Sequence, residues 1–204
     1  MLKIVIFDLD GTLVVNEKPF EEVRQKIAKA FNLNQEELKP LYEKLIELNN
    51  PDALRMLEEE EIRRAEESVP MPDLMSLIEF LRTRYIKLAI LTRNCRKAVE
   101  KALRHYYGYF DIILTRDDGL ELKPSPLPIY TILNTFGVSP RDAIIVGDFD
   151  YDIDAGRIAG IKTIRLGAGY ADYNVLNIEE LISLLKKILE SEQEEYFEET
   201  QQES

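Results

Sequence analysis

Five short apolar runs recur along the chain and predict the strands of one buried sheet. They are rich in β-branched residues and cover residues 3–7, 87–91, 111–114, 143–147 and 163–166. One segment with apolar residues at helical spacing precedes each run after the first, at residues 74–84, 96–106, 128–136 and 153–159. Strands that alternate with helices predict a mostly parallel sheet covered on both faces, which is the doubly wound, Rossmann-like α/β class.

A helical insertion interrupts this alternation, because residues 16–71 contain three helical patterns and no strand. The apolar positions of these patterns fall within residues 20–31, 38–48 and 52–67. Asn34, followed three residues later by Glu37, resembles a capping box and predicts that the second helix begins there. The insertion either adds packing mass or forms a lid over the strand ends, and its position directly after the first strand favours a lid.

These patterns predict the domain organisation. Residues 1–15 and 72–190 form the α/β core, and residues 16–71 form a small helical cap inserted after the first strand. A last amphipathic helix is predicted over residues 178–189. Residues 191–204 are acidic and glutamine-rich, so we expect a disordered tail.

The composition excludes several classes of protein. A formal net charge of −12 over 204 residues argues against broad binding to nucleic acid or to an anionic membrane. The chain has one cysteine, Cys95, and one histidine, His105, which exclude an internal disulfide framework and a zinc site built from such residues. The first apolar stretch, residues 2–9, is too short for a signal peptide or a membrane span. We therefore expect a soluble, cytoplasmic protein.

Carboxylates follow the first and fourth predicted strands. Asp8 and Asp10 end the first apolar run, and buried carboxylates this close together are costly unless a cation lies between them. Gly11 lets the chain turn and expose them, although Asp10 and Gly11 also fit an ordinary turn. Asp148 follows the fourth run in the same way, within a group of four aspartates that also fits a solvated loop.

A magnesium site would explain these carboxylates. A hard cation such as Mg²⁺ takes oxygen ligands and keeps several waters, so Asp8 and Asp148 together predict such a site. The cation would also offset the repulsion between an acidic protein and an anionic substrate. An EF-hand is the competing calcium motif, but the aspartate group lacks its closing glutamate and its central glycine.

Two further segments carry groups that suit a phosphate. Thr92, Arg93 and Asn94 follow the second predicted strand, and their side chains and the N–H groups of the next helix are donors for an anion. Thr92 or Asn94 would equally serve as a plain helix cap. Lys123 lies in a loop that neighbouring prolines stiffen, and a lone loop lysine is more often simply solvated.

In this order, the segments resemble the motifs of the haloacid dehalogenase superfamily of phosphohydrolases, in particular its phosphoglycolate-phosphatase-like members. The resemblance extends from residue 2 to about residue 170. The matching segments are Asp8-Leu9-Asp10-Gly11-Thr12 for the first motif, Thr92 for the second, Lys123 for the third, and Gly147-Asp148 with Asp152 for the fourth. The inserted helices match the cap of this family.

The resemblance implies a mechanism. Asp8 would be the nucleophile that forms an aspartyl-phosphate, and Asp10 would protonate the leaving oxygen and then activate water. Thr92 and Lys123 would bind the transferring phosphoryl group.

The resemblance also implies a metal site. The Asp8 and Asp148 carboxylates and the Asp10 carbonyl would hold Mg²⁺. Asp152 would support the metal site or orient Lys123, and Thr12 belongs to the first motif.

The expected function is Mg²⁺-dependent hydrolysis of small phosphate monoesters, with a phosphoglycolate-like metabolite as one possible substrate. Dehalogenases and ion-pumping ATPases of this kind lack an acid two residues after the nucleophile, so Asp10 favours ester hydrolysis. A phosphomutase of the β-phosphoglucomutase type uses the same motifs and stays open. A non-catalytic binding protein on the same scaffold is the third alternative. The sequence leaves the oligomeric state open.

Overall fold

The computed structural model describes the backbone of residues 1–202 and the side chains of residues 1–194. The strands are β1 (Ile4–Phe7), β2 (Val14–Val15), β3 (Val69–Pro70), β4 (Lys87–Leu91), β5 (Ile112–Leu114), β6 (Ala143–Gly147), β7 (Lys162–Leu166) and β8 (Tyr173–Val175). The helices are α1 (Glu21–Phe31), α2 (Leu41–Glu47), α3 (Pro51–Glu67), α4 (Leu74–Arg82), α5 (Arg96–Leu103), α6 (Leu127–Phe136), α7 (Asp150–Ala159) and α8 (Ile178–Gln202).

Six parallel strands form the central sheet, in the order β5-β4-β1-β6-β7-β8. β1 lies between β4 and β6, and Phe7 pairs with both Ile90 and Val146. This register brings the carboxyl ends of the three strands to one edge of the sheet, so the residues that follow them are neighbours. The predicted fold class, a doubly wound α/β sheet with a helical cap after the first strand, is confirmed.

The two faces of the sheet belong to two separate apolar clusters. Successive side chains of a strand point to opposite faces. Accordingly, Val5 and Phe7 pack in one cluster with residues of α4, α5 and α8, whereas Ile4 and Ile6 pack in the other with residues of α6 and α7. All four side chains are fully buried, which is why β1 is a continuous apolar run.

Two features of the strand pattern were not predicted. β8 adds a sixth strand beside β7, but Tyr173 and Asn174 are exposed and only Val175 is buried, so no apolar run marks it. β2 precedes the inserted helices in the chain and β3 follows them, and the two strands pair as an antiparallel ribbon. Strands of two residues are too short to show any periodicity.

The inserted helices have an apolar cluster of their own, separate from those of the sheet. Its most deeply buried members are Val23, Ile27, Leu38, Leu41, Leu45, Ala53 and Leu57. A separate cluster supports the proposed division of the chain into a cap, residues 16–71, and a core.

The second cap helix begins later than predicted. α2 begins at Leu41, and Asn34 instead caps a 3₁₀ turn, where its side chain accepts the Glu36 N–H at 3.1 Å. Pro40 explains the difference, because it lacks an amide hydrogen and disfavours a helical conformation for the preceding residue.

The last helix extends further than its apolar pattern. α8 begins at Ile178, as predicted, but its backbone continues beyond residue 189 to Gln202. The prediction placed residues 191–204 in a disordered tail; the backbone of residues 191–202 is helical, and glutamate and glutamine favour helix even without an apolar face. The side chains of residues 195–204 and the backbone of residues 203 and 204 lie outside the described residues. Within the described chain, none of the helices combines the length and the apolar character that crossing a bilayer requires.

Candidate active site

A cavity of about 510 Å³ lies between the carboxyl edge of the sheet and the cap helices. Eight of the predicted site residues line it: Asp8, Asp10, Thr92, Arg93, Asn94, Lys123, Asp148 and Asp152. Asp8 follows β1, Thr92 follows β4 and Asp148 follows β6, so the parallel register explains why segments far apart in sequence meet here.

Lys123 is buried between two carboxylates. Its Nζ lies 2.5 Å from Asp8 Oδ1 and 2.5 Å from Asp152 Oδ1, and 2 % of its side chain is exposed. Burial by itself would lower the pKa of Lys123, but Asp152 and Asp8 outweigh it and hold the pKa above its ordinary value. The ammonium group is therefore a fixed positive charge beside Asp8.

The carboxyl groups of Asp8 and Asp148 are largely shielded from water, which changes their pKa values. Burial raises the pKa of Asp8 well above its ordinary value, while the neighbouring Lys123 opposes this shift. Burial, with the nearby charge of Asp152, raises the pKa of Asp148 to about 6. One oxygen from each of Asp8, Asp148 and Asp152 lies within 4.8 Å of the other two.

The first turn approaches Asp148 so closely that only glycine fits. Gly11 has a φ of +75°, and a Cβ added to it would lie 2.3 Å from Asp148 Oδ2. Gly147 is similar, because a Cβ there would lie 2.3 Å from Asp152 Cγ. Both glycines thus let the backbone pass beside the carboxylates.

Asn94 connects the segment that follows β4, residues 92–94, to Asp10. Its side-chain amide donates to the Asp10 carboxylate, and its backbone N–H donates to Thr92 Oγ1 at 3.2 Å. Thr92 is buried. Thr12 does not line the cavity; it is fully buried, and its hydroxyl has no hydrogen-bond partner among the described residues.

Arg93 lines the cavity, but its guanidinium is bonded to protein groups. Its guanidinium donates to both carboxylate oxygens of Glu43 in α2, each at 2.7 Å, and to the carbonyl of Lys123 at 2.5 Å. It also lies 4.9 Å from the ring centre of Tyr151. Arg93 therefore ties the cap to the loop that carries Lys123, and its role as a phosphate ligand stays a prediction.

Comparison with known proteins identifies the family. Residues 5–166 match the family described as haloacid dehalogenase-like hydrolase, which is more than half of the chain. The chain belongs to this family of hydrolases. The resemblance drawn from the sequence motifs is thereby confirmed.

Several relatives of this hydrolase are named phosphatases or pyrophosphatases. The phosphoglycolate phosphatase of Aquifex aeolicus is 33 % identical over 194 residues, which cover 85 % of this chain and 88 % of that protein. The pyrophosphatase PpaX of Oceanobacillus iheyensis is 29 % identical over 188 residues, covering 86 % and 88 %. The structure of a phosphatase from Thermococcus onnurineus is similar with a TM-score of 0.67 and 25 % identity, covering 90 % of this chain and 98 % of that chain. The hydrolase is therefore an enzyme related to phosphatases.

The carboxylates of the hydrolase fit a divalent cation. Asp8, Asp148 and Asp152 bring three acidic groups together, and Lys123 is bonded to only two of them. Carboxylate oxygens are the ligands of hard cations, and a bound cation would remove the cost of the remaining negative charge. Lys123 pairs with Asp152 and with Oδ1 of Asp8, so Asp148 and the second oxygen of Asp8 would be the ligands that remain for a cation.

The cap wall of the cavity was not predicted. Arg24 of α1, Tyr42 of α2 and Arg64 of α3 line it. Both arginines share helical spacing with apolar positions, Arg24 four residues after Phe20 and Arg64 seven residues after Leu57, so the pattern places them on the apolar faces of their helices. The sequence does not show that these faces border the cavity.

A buried ion pair joins the cap to the core. Arg116 donates to Glu61 of α3, and both side chains are almost fully buried. The Cys95 N–H donates to Glu61 Oε2 at 3.1 Å. Burial and the charge of Glu61 raise the pKa of the Cys95 thiol to about 12, so the thiol stays protonated.

Replacing Gly11 tests the close approach to Asp148. Gly11→Ala should destabilise the protein by more than the roughly 1–2 kcal/mol of left-handed backbone strain, because the new methyl group also displaces the Asp148 carboxylate. Urea unfolding and phosphatase assays measure both effects. Gly137→Ala is the matched control, since Gly137 has a φ of +63° and nothing within 4 Å of an added Cβ. Equal losses of activity in both variants would contradict the argument.

Proposed function

We propose that this hydrolase is a Mg²⁺-dependent phosphatase that cleaves small phosphate monoesters through an aspartyl-phosphate on Asp8. The observation that carries the proposal is the Asp8 carboxylate, held 2.5 Å from the buried Lys123 ammonium in the cavity between the sheet edge and the cap. A volume of about 510 Å³ is suited to a small metabolite. The relatives named phosphoglycolate phosphatase support a phosphoglycolate-like substrate.

One carboxylate oxygen of Asp8 would form a bond to phosphorus. The bond between phosphorus and the ester oxygen would break, and that oxygen would leave as part of the alcohol. A phosphoryl transition state spreads negative charge over its equatorial oxygens, so fixed positive charge beside the nucleophile lowers the barrier. Lys123 supplies that charge, and Asp152 holds its ammonium group in place. Thr92 lines the same cavity, and its hydroxyl would be a further hydrogen-bond donor to the phosphoryl group.

Asp10 would act as general acid and then as general base. It would protonate the departing ester oxygen and afterwards remove a proton from the water that hydrolyses the aspartyl-phosphate. The Asn94 amide donates to its carboxylate and so fixes the orientation of the side chain. Asp10 lines the same cavity as Asp8, as this role requires.

Asp8 and Asp148 would hold Mg²⁺, with the Asp10 carbonyl as the third protein ligand. When bound, the metal ion would offset the repulsion between the carboxylate nucleophile and the phosphate.

Magnesium should stabilise the protein, and less so at low pH. The Asp148 pKa is raised to about 6 from 3.8, so the metal-free folded state binds more protons than the unfolded state between these values. Its stability therefore falls as pH rises through this window, and Mg²⁺ should restore it where Asp148 is ionised. Thermal melting with Mg²⁺ and with a chelator should give a large difference at pH 7.5 and a small one at pH 5. Equal differences at the two pH values would argue against this metal site.

Asp10→Asn should make the aspartyl-phosphate accumulate. Without the carboxylate, water is no longer activated, so dephosphorylation becomes the slow step. Reaction with an activated ester such as p-nitrophenyl phosphate, followed by acid quench and mass spectrometry, should show one phosphoryl group of added mass on the peptide that contains Asp8. Glu59→Gln, an acidic residue outside the cavity lining, is the control. No trapped adduct together with normal turnover would exclude this role for Asp10.

A further inference from the structure

The two sides of the cavity carry opposite charges. The sheet edge contributes four carboxylates, which belong to Asp8, Asp10, Asp148 and Asp152. The sheet side also carries Arg93 and Lys123, and both are in ion pairs. The cap contributes three cations, Arg24, Lys39 and Arg64, and one carboxylate, Glu61, which is paired with Arg116. Because the transferring phosphoryl group must lie at Asp8, the cap cations face the remainder of the substrate.

Arg64 is a buried cation with no acidic partner. Only 9 % of the residue is exposed, and its guanidinium donates to the backbone carbonyl of Lys18 at 2.5 Å. Among the described residues, no carboxylate lies within 4.0 Å of its nitrogens. Its Cζ also lies 5.7 Å from the centre of the Phe20 ring. Neither contact neutralises the charge, and a buried charge without an acidic partner is costly, so this position favours an anion brought by a ligand.

Arg24 has a donor left over at the same wall. Its Nη1 donates to Glu21, but its Nε is buried and has no hydrogen-bond partner among the described residues. The side chain is 15 % exposed. An unpaired buried donor that borders a cavity is satisfied once a ligand with an acceptor oxygen binds there.

The other cations that line the cavity are occupied. Lys39 pairs with Glu36 and is half exposed, and Arg93 pairs with Glu43. Lys123 pairs with Asp8 and Asp152. Arg24, through its unpartnered Nε, and Arg64, which has no acidic partner among the described residues, are therefore the two largely buried cap cations at the cavity that retain capacity for a substrate anion.

We propose that Arg24 and Arg64 form an anion subsite in the cap, which binds a second negatively charged group on the leaving-group side of the substrate. The inference rests on the proposed function and narrows it. The substrate class is a small phosphate compound whose leaving group bears a carboxylate or a second phosphoryl group. Guanidinium groups bind both with paired hydrogen bonds.

A comparison of charged and uncharged leaving groups tests the subsite. The probes are 2-phosphoglycolate, 2-phosphoglycolamide, in which an uncharged amide replaces the carboxylate, and pyrophosphate. For Arg64→Gln and Arg24→Gln, kcat/KM for phosphoglycolate relative to its amide should fall about 10- to 100-fold each, mainly through KM. Whether phosphoglycolate or pyrophosphate has the higher kcat/KM in the unaltered protein distinguishes a carboxylate from a second phosphoryl group.

Arg55→Gln is the matched control, because Arg55 is on the same helix as Arg64, is 70 % exposed and pairs only with Asp52 at the surface. It should leave the selectivity ratio unchanged. Because Arg64 is buried, Arg24→Gln guards against a folding defect. Its Nε has no partner among the described residues, and the pair that it loses, with the partly exposed Glu21, should be worth no more than about 1 kcal/mol.

Two negative results have different meanings. If the protein hydrolyses the amide as efficiently as the acid and neither variant changes the ratio, the subsite is overturned and the phosphatase stands. If it hydrolyses none of the esters, the proposed function fails, and thermal-shift binding of phosphoglycolate against its amide decides the subsite alone. A preference for the acid that both arginine variants abolish supports the subsite; equal binding of the two compounds overturns it.

Discussion

Asp8→Asn protein should lose hydrolysis of p-nitrophenyl phosphate by at least about 10³-fold, because an amide cannot act as the nucleophile. Asparagine keeps the size of the side chain and one oxygen within reach of Lys123, so the fold should be retained. Steady-state release of p-nitrophenolate measures the loss, and thermal melting checks the fold.

Asp52→Asn is the control for this experiment. It makes the same chemical change on an exposed side chain of the cap, which pairs with Arg55 at the surface. Its activity should equal that of the unaltered protein. Appreciable turnover by the Asp8→Asn protein would refute Asp8 as the nucleophile.

The Lys123→Met variant should have a lower free energy of unfolding than the unaltered protein and no activity. The ammonium group neutralises two carboxylates that are otherwise buried side by side, and breaking a buried ion pair costs about 3–5 kcal/mol. Urea unfolding in the presence of a chelator measures this loss without any contribution from metal binding. Lys87→Met is the control, since Lys87 is half exposed and its pair with Asp111 should be worth no more than about 1 kcal/mol.

A double variant separates stability from catalysis. Lys123→Met with Asp152→Asn removes the second charge of the buried pair and keeps an oxygen that can accept the Phe149 N–H. The free energy of unfolding should recover in large part, whereas activity should remain absent because the ammonium group that would bind the phosphoryl group is gone. Recovery of activity along with stability would mean that Lys123 acts only through the fold.

Much of the core and of the site could be predicted from the sequence. β1 is an unbroken apolar run because both faces of the sheet are covered, and Asp8 ends it at a glycine turn. Asp148 follows β6 in the same pattern. Parallel strands have aligned ends, so these local patterns sufficed to predict that the two carboxylates meet.

Local patterns failed where the structure depends on few residues or on one special residue. β8 buries only Val175, so its pairing with β7 decides its conformation rather than its own composition. Pro40 moved the start of α2 away from Asn34. Arg93 was predicted from its place beside Thr92, but its partners Glu43 and the Lys123 carbonyl belong to distant segments.

The sequence by itself determined the succession of the core strands along the chain, the cap insertion and the acidic and basic residues at the sheet edge. Each of these depends on spacing along the chain. Only the tertiary structure decided that Lys123 lies between Asp8 and Asp152, and that Arg24 and Arg64 border the same cavity. Whether a charged side chain is solvated or buried depends on what packs against it. Those neighbours come from segments far away in the sequence, and no local pattern records them.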